Sequence, residues 1–100
     1  MFRLIKVTGQ SLEPSYREGD FVLVLKIPFS LWKPRPGEVI VFRHPVFGTM
    51  IKQVERFAPG SGEINVIGTH PDSTDSRQFG PIRRQDVVGR VVWQIRKPAS

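Results

Sequence analysis

Glycine and proline break this chain so often that no long helix can form. Nine of each occur in 100 residues, and both residues end or weaken helices while favouring turns. The breaks cluster at Lys33-Pro34-Arg35-Pro36-Gly37, at Ala58-Pro59-Gly60-Ser61-Gly62 and from His70 to Pro81. Between them lie short runs rich in β-branched and aromatic residues. These runs predict strands near Arg3–Val7, Asp20–Lys26, Val39–Arg43, Thr49–Phe57, Ile64–Gly68 and Val87–Ile95. The spacing of the breaks is that of an all-β sheet or barrel. Helical periodicity is nearly absent. One turn is predicted over Glu13–Glu18, opened by Pro14, and Asp86 is a candidate cap for a brief turn before Val87.

Composition narrows the function classes. A hydrophobic fraction of 39% and a charged fraction of 24% suit one ordinary globular domain, here residues 1–100. The longest apolar run, Phe21–Leu25, is five residues, far short of the ~20 a membrane helix needs. The start of the chain, Met1-Phe2-Arg3-Leu4-Ile5-Lys6, is too short and too charged for a signal peptide. A soluble, cytoplasmic protein is the expectation, with Leu31-Trp32 beside Lys33 and Arg35 as a possible point of peripheral membrane contact. With no cysteine, thiolate nucleophiles, disulfides and zinc–thiolate sites are excluded. His44 and His70 are too few for a metal site, so neither metal nor cofactor is expected. The net charge of +6 favours anionic partners, but the basic residues are scattered and no aromatic–basic cluster stands out, so nucleic acid is not expected.

Two positions carry chemistry. In Thr49–Phe57, period-2 alternation puts Met50, Lys52, Val54 and Arg56 on one face and Ile51, Gln53, Glu55 and Phe57 on the other. Lys52 therefore sits between apolar neighbours. It either faces solvent with its stem against them, or it is held in an apolar slot. In a slot, loss of water disfavours the ammonium and lowers its pKa, and a neutral amine is a competent general base. Bringing a lysine from about 10.4 to near 7 takes about 4.6 kcal/mol, which only deep burial without a carboxylate partner supplies. The second position is Ser11, in Val7-Thr8-Gly9-Gln10-Ser11-Leu12-Glu13-Pro14. A serine in a tight turn leaving a strand, with backbone N–H groups free beside it, suits a nucleophile next to an oxyanion hole. It is equally the pattern of an ordinary turn serine.

Gly9-x-Ser11-Leu12-x-Pro14 followed by Gly19-Asp20 resembles the nucleophile box of the type I signal peptidases. Three further boxes follow in that family's order. Arg35-Pro36-Gly37-Glu38-Val39-Ile40-Val41-Phe42 resembles its Gly-Asp strand, and Met50-Ile51-Lys52-Gln53-Val54 the strand carrying its general base. Gly68-Thr69-His70-Pro71-Asp72-Ser73-Thr74-Asp75-Ser76-Arg77-Gln78-Phe79-Gly80-Pro81 resembles its final box, and Val88-Gly89-Arg90-Val91 the strand after it. The resemblance implies a compact, mainly β domain and a serine endopeptidase with a Ser/Lys dyad. Ser11 would be the nucleophile and Lys52 its base. Ser73 would orient the Lys52 amine, Asp75 and Arg77 would brace the loop as an ion pair, and the Ser11 N–H would donate to the oxyanion. The substrate would be a protein or peptide bound in extended form, cut after small residues, with a leader or propeptide removed.

The departures from that pattern are Gly9 in place of a serine hydroxyl, Leu12 for methionine, Gln53 for arginine and Thr69-His70 for Asp-Asn. Gly37-Glu38-Val39-Ile40-Val41-Phe42-Arg43-His44-Pro45 is similar to a stretch in small soluble relatives, the maturation proteases of nickel-containing superoxide dismutase, where His44 would be structural. Two other readings compete. One is a catalytically silent β-domain binding nucleic acid or an acidic partner. The other is a self-cleaving domain like those of repressor-type autoproteases, which needs a cleavable segment ahead of Val7, where only six residues stand.

Overall fold

The computed structural model describes residues 2–7, 16–26, 33–58, 60–69 and 74–96. Seven strands form one antiparallel sheet: β1 (Phe2–Lys6), β2 (Phe21–Leu25), β3 (Val39–His44), β4 (Gly48–Ala58), β5 (Glu63–Ile67), β6 (Ile82–Arg83) and β7 (Val87–Ile95). Their order across the sheet is β1-β2-β7-β3-β4-β5-β6. One short helix, α1 (Ser76–Phe79), lies between β5 and β6, and a 3-10 turn over Arg84–Asp86 leads into β7. The protein is thus mainly β, with six strands where the alternating runs predict them. The predicted turn over Glu13–Glu18 is not a helix where it is described: Tyr16 to Glu18 form a bend and a turn, and residues 13–15 lie outside the described residues.

β7 returns between β2 and β3, and packing across the sheet decides what each apolar run does. β3 is interior and is covered on both faces. Ile40 and Phe42 join Val54, Ile64, Val66 and Ile82 in one core cluster. Val41, pointing the other way, joins Val7, Val22 and Val24 in a second. A strand buried on both sides reads as a continuous apolar run rather than an alternating one. Each such fully buried side chain contributes about 1.5–3 kcal/mol. The equally apolar β2 buries only Val22 and Val24. Its register sets Leu4, Leu23 and Trp93 side by side, and Phe21 beside Ile95, on a face that stays open. Trp93 is 66% exposed there.

Two local features tighten the sheet. Gly89 on β7 faces β2 so closely that a Cβ would fall 2.6 Å from the Leu25 carbonyl oxygen, so a side chain at this position would force the two strands apart. A bulge between Val54 and Arg56 corrects the simple alternation of β4. The extra residue turns the strand by one position. Arg56, which strict period-2 reading puts beside Lys52 and Val54, is exposed, while Phe57 packs against the cluster that holds Val54. Among the described residues no helix is long and apolar enough to cross a membrane.

Candidate active site

Lys52 lies in the middle of β4, paired with Ile40 of the interior strand β3. Its immediate same-side neighbours are Met50, half-buried, and Val54, fully buried. Lys52 itself is 1% exposed. Its strand is clamped from the β3 side: Gly37 N donates to the Val54 carbonyl at 2.8 Å, and Val54 N donates to the Glu38 carbonyl at 2.7 Å. The turn before β3 is closed in its own right, with Arg35 N donating to Glu38 Oε1 at 2.8 Å and Gly37 in the left-handed region at φ 92°. The Gln53 side-chain amide donates to the Gly37 carbonyl at 3.2 Å.

The Lys52 Nζ is buried, and among the described residues it has no hydrogen-bond partner. Burial is the main force on its titration and pushes its pKa below the usual lysine value. The Asp75 carboxylate opposes that by pulling the pKa upward, and the Arg77 guanidinium adds to the downward push.

Asp75 is also buried, with no exposed surface, and it is surrounded by donors. Its Oδ1 accepts from Arg77 N at 3.0 Å and from Arg77 Nε at 2.9 Å. Its Oδ2 accepts from Arg77 Nη2 at 2.8 Å and from Gly68 N at 3.0 Å. Asp75 also caps α1 and forms a capping box with Gln78, whose Oε1 accepts from Asp75 N at 2.9 Å. Burial is the largest single influence on this carboxyl and pushes its pKa up, but the bonds from Arg77 and Gly68 together outweigh it and hold the value at about 2. The loop is fastened to β5 at a second point, where Val66 N donates to Ser76 Oγ at 2.8 Å. Phe79 of α1 then lies over β3, its ring centroid 4.7 Å from that of His44 and 6.4 Å from that of Phe42. His44 holds the β3–β4 turn, its Nδ1 accepting from Val46 N at 3.0 Å and Phe47 N at 3.3 Å.

Ser11 and Ser73, and with them Gly9, Leu12 and His70, lie outside the described residues, as does the Leu31-Trp32 pair. The ends of the segment that carries Ser11 are described, and they are joined. Val7 N donates to the Asp20 carbonyl at 2.7 Å, and Gly19 N donates to the Val7 carbonyl at 2.9 Å. Asp20, 3% exposed, secures this clasp: its carboxylate accepts from Arg17 N at 3.0 Å and from the Gln94 side chain of β7 at 2.9 Å. Val7 belongs to the same core cluster as Ile51, the residue before Lys52. Sequence reading marked Gly19-Asp20 only as part of a motif and assigned nothing to Ser76. A turn-forming Gly-Asp before an apolar strand, and a serine at the first position of a capped helix, were the signals available.

This arrangement belongs to a known family. The Peptidase S24-like family matches residues 2–92, and the chain is a member of it. Over 39 residues the chain is 44% identical to signal peptidase I of Aquifex aeolicus (strain VF5). The match covers 39% of this chain and 15% of the Aquifex protein. Both are matches to peptidases.

Proposed function

We propose that this chain is a serine endopeptidase of the signal-peptidase type, with Ser11 as nucleophile and Lys52 as general base. The observation that carries the reading is the Lys52 amine: buried at the centre of β4, depressed in pKa by burial, and without a partner among the described residues. A lysine kept only for stability would have its charge matched or its head in water. The peptidase family match and the serine at position 11 supply the rest of the argument.

In this mechanism the neutral Lys52 Nζ takes the proton of the Ser11 hydroxyl as its oxygen attacks the scissile carbonyl carbon. The tetrahedral oxyanion is met by backbone N–H groups at the Ser11 turn. Collapse breaks the C–N bond, and the Lys52 ammonium returns its proton to the leaving amine. The acyl-enzyme remains on the Ser11 oxygen. Lys52, neutral again, then takes a proton from water, whose oxygen attacks the ester carbon; collapse breaks the bond to the Ser11 oxygen, which takes the proton back from the Lys52 ammonium as the acid leaves. Ser73 orients the Lys52 amine, and the Asp75–Arg77 pair holds the loop on which Ser73 stands. The substrate lies extended against a strand edge, where main-chain bonds fix it independently of sequence. It is a protein losing an N-terminal leader or propeptide.

The test is cleavage of a propeptide-mimicking peptide by the wild type, Ser11→Ala and Lys52→Met, with acid-quenched mass spectrometry for the acyl-enzyme. Wild type should cleave and show the acyl adduct on the Ser11 peptide, and both variants should lose both signals. Cleavage surviving in either variant overturns the dyad.

A further inference from the structure

On the face of β4 that carries Ile51 lies a cleft of about 460 Å³, a size that suits part of a ligand. Its floor is apolar, formed by Ile5, Val7, Val22, Val41 and Ile51, which belong to the second core cluster or pack against it. Two of these residues tie it in sequence to the proposed dyad: Val7 follows β1 on the way to Ser11, and Ile51 precedes Lys52 on β4. The walls come from opposite parts of the sheet, β1 on one side and β3 with β4 on the other. β1 pairs with β2 along one edge, and among the described residues its other edge has no strand.

Among the described residues, the charged side chains at the mouth share one sign: Arg3 and Lys6 from β1 and Arg43 from β3 line it, all exposed, with no carboxylate among the described lining. Low-dielectric walls around like charges focus their field on whatever enters. We propose that this cleft selects an acidic polypeptide segment, in which one apolar side chain seats on the floor and flanking Asp or Glu residues meet Arg3, Lys6 and Arg43. The inference rests on the peptidase reading and extends it to the substrate class. The occupant is a peptide rather than a nucleic acid, because among the described residues the cleft is lined by one aromatic side chain, Phe47, and single-strand binders stack successive bases on several. A second copy of this chain, itself carrying +6, is the wrong sign.

The experiment compares three peptides that share a scissile site and an apolar anchor but carry Glu, Gln or Lys on either side of the anchor. Each exposed ion pair changes recognition by about 1.5- to 5-fold, so several acting together should favour the Glu peptide over the Gln peptide by about tenfold in kcat/KM at low salt. The preference should shrink in 0.5 M NaCl. Arg3→Glu/Arg43→Glu should reverse the order of the Glu and Lys peptides, with Arg43→Gln intermediate and thermal midpoints near that of the wild type. Equal cleavage of all three peptides, or an order untouched by the double variant, overturns the proposal and leaves the peptidase reading standing. Binding of the same peptides to Ser11→Ala, read by fluorescence anisotropy, separates the two. Charge-selective binding without any wild-type cleavage overturns the peptidase reading alone. A dT oligonucleotide displacing the Glu peptide at equal concentration overturns the assignment to peptide.

Discussion

Lys52 and Asp75 are both charged residues with almost no exposed surface, and the fold treats them in opposite ways. Asp75 is met by its own loop and the end of β5: hydrogen bonds from Arg77 and Gly68 converge on its two oxygens, one member of the ion pair is the half-exposed Arg77, and the carboxylate doubles as a helix cap. Lys52 stands on β4 with Val54 and Met50 for neighbours, and its nitrogen meets no partner among the described residues. The contrast separates a group that stabilises from a group held ready. A saturated buried charge locks its surroundings, whereas an unsatisfied one lowers stability and is retained where its reactivity is used.

The sharpest way to break that comparison is Lys52→Met, which keeps the volume and removes the amine. Peptide cleavage is expected to fall at least about 10³-fold. Stability in urea should stay the same or rise by about 1–2 kcal/mol, because no described residue hydrogen-bonds the amine. A loss of stability would show that the amine had a partner after all. Asp75→Ala is the reciprocal change. It removes the helix cap and leaves the Gly68 N–H without its acceptor, and should lower stability by about 3 kcal/mol.

The two residues should also make stability respond to pH in opposite regions. Asp75 has a folded pKa of about 2 against an ordinary 3.8. Its contribution, about 2 kcal/mol, is present above the ordinary value and is lost as pH falls through 3.8 toward 2. Lys52 has a folded pKa below the ordinary 10.5. Between its folded and unfolded values the unfolded chain binds a proton that the folded amine refuses, so this group makes stability rise with pH across that interval. Urea titrations across pH should show the acid slope disappear in Asp75→Asn and the alkaline slope disappear in Lys52→Met. In the kcat/KM profile, the acid limb should move to lower pH in Asp75→Asn, since the carboxylate that raises the Lys52 pKa is gone.

Smaller effects refine the picture. Ser76→Ala removes the acceptor of the Val66 N–H and should lower stability by about 1 kcal/mol. Glu38→Gln weakens the part-exposed bridge to Arg90, 2.9 Å long, and should change stability by about 0.5 kcal/mol. Thermal melts of the two variants beside Asp75→Ala would rank how firmly each point of the loop and sheet is tied.

Much of the fold was legible because Gly and Pro punctuate it and β-branched runs fill the intervals. β6 and α1 were not, since two residues and four residues carry too little pattern to register against their neighbours. The bulge at Glu55 was also hidden, because alternation has no mark for an inserted residue. At the site, alternation placed Lys52 between Met50 and Val54, and a family resemblance pointed to Ser11, Ser73, Asp75 and Arg77. The roles of Asp20 and Ser76 as fasteners depend on backbone groups distant in sequence, so no local pattern announces them.

Residue order alone determined that this chain makes short strands and turns, lacks thiol chemistry, and carries a lysine amid apolar neighbours. Tertiary structure decided which faces became interior. Phe21–Leu25 and Val39–Phe42 are alike as sequences, yet one keeps an open face and the other is sealed on both sides, because Ile64, Val66, Ile82 and Phe79 pack with Ile40 and Phe42 on one face of β3, and Val7, Val22 and Val24 with Val41 on the other. The first of these layers, with Phe79 of α1 beside Phe42, also holds Val54, whose side of β4 Lys52 shares. Burial is a property of what packs across a strand, and its effect on an amine is electrostatic: the charge loses water that only distant parts of the chain can exclude.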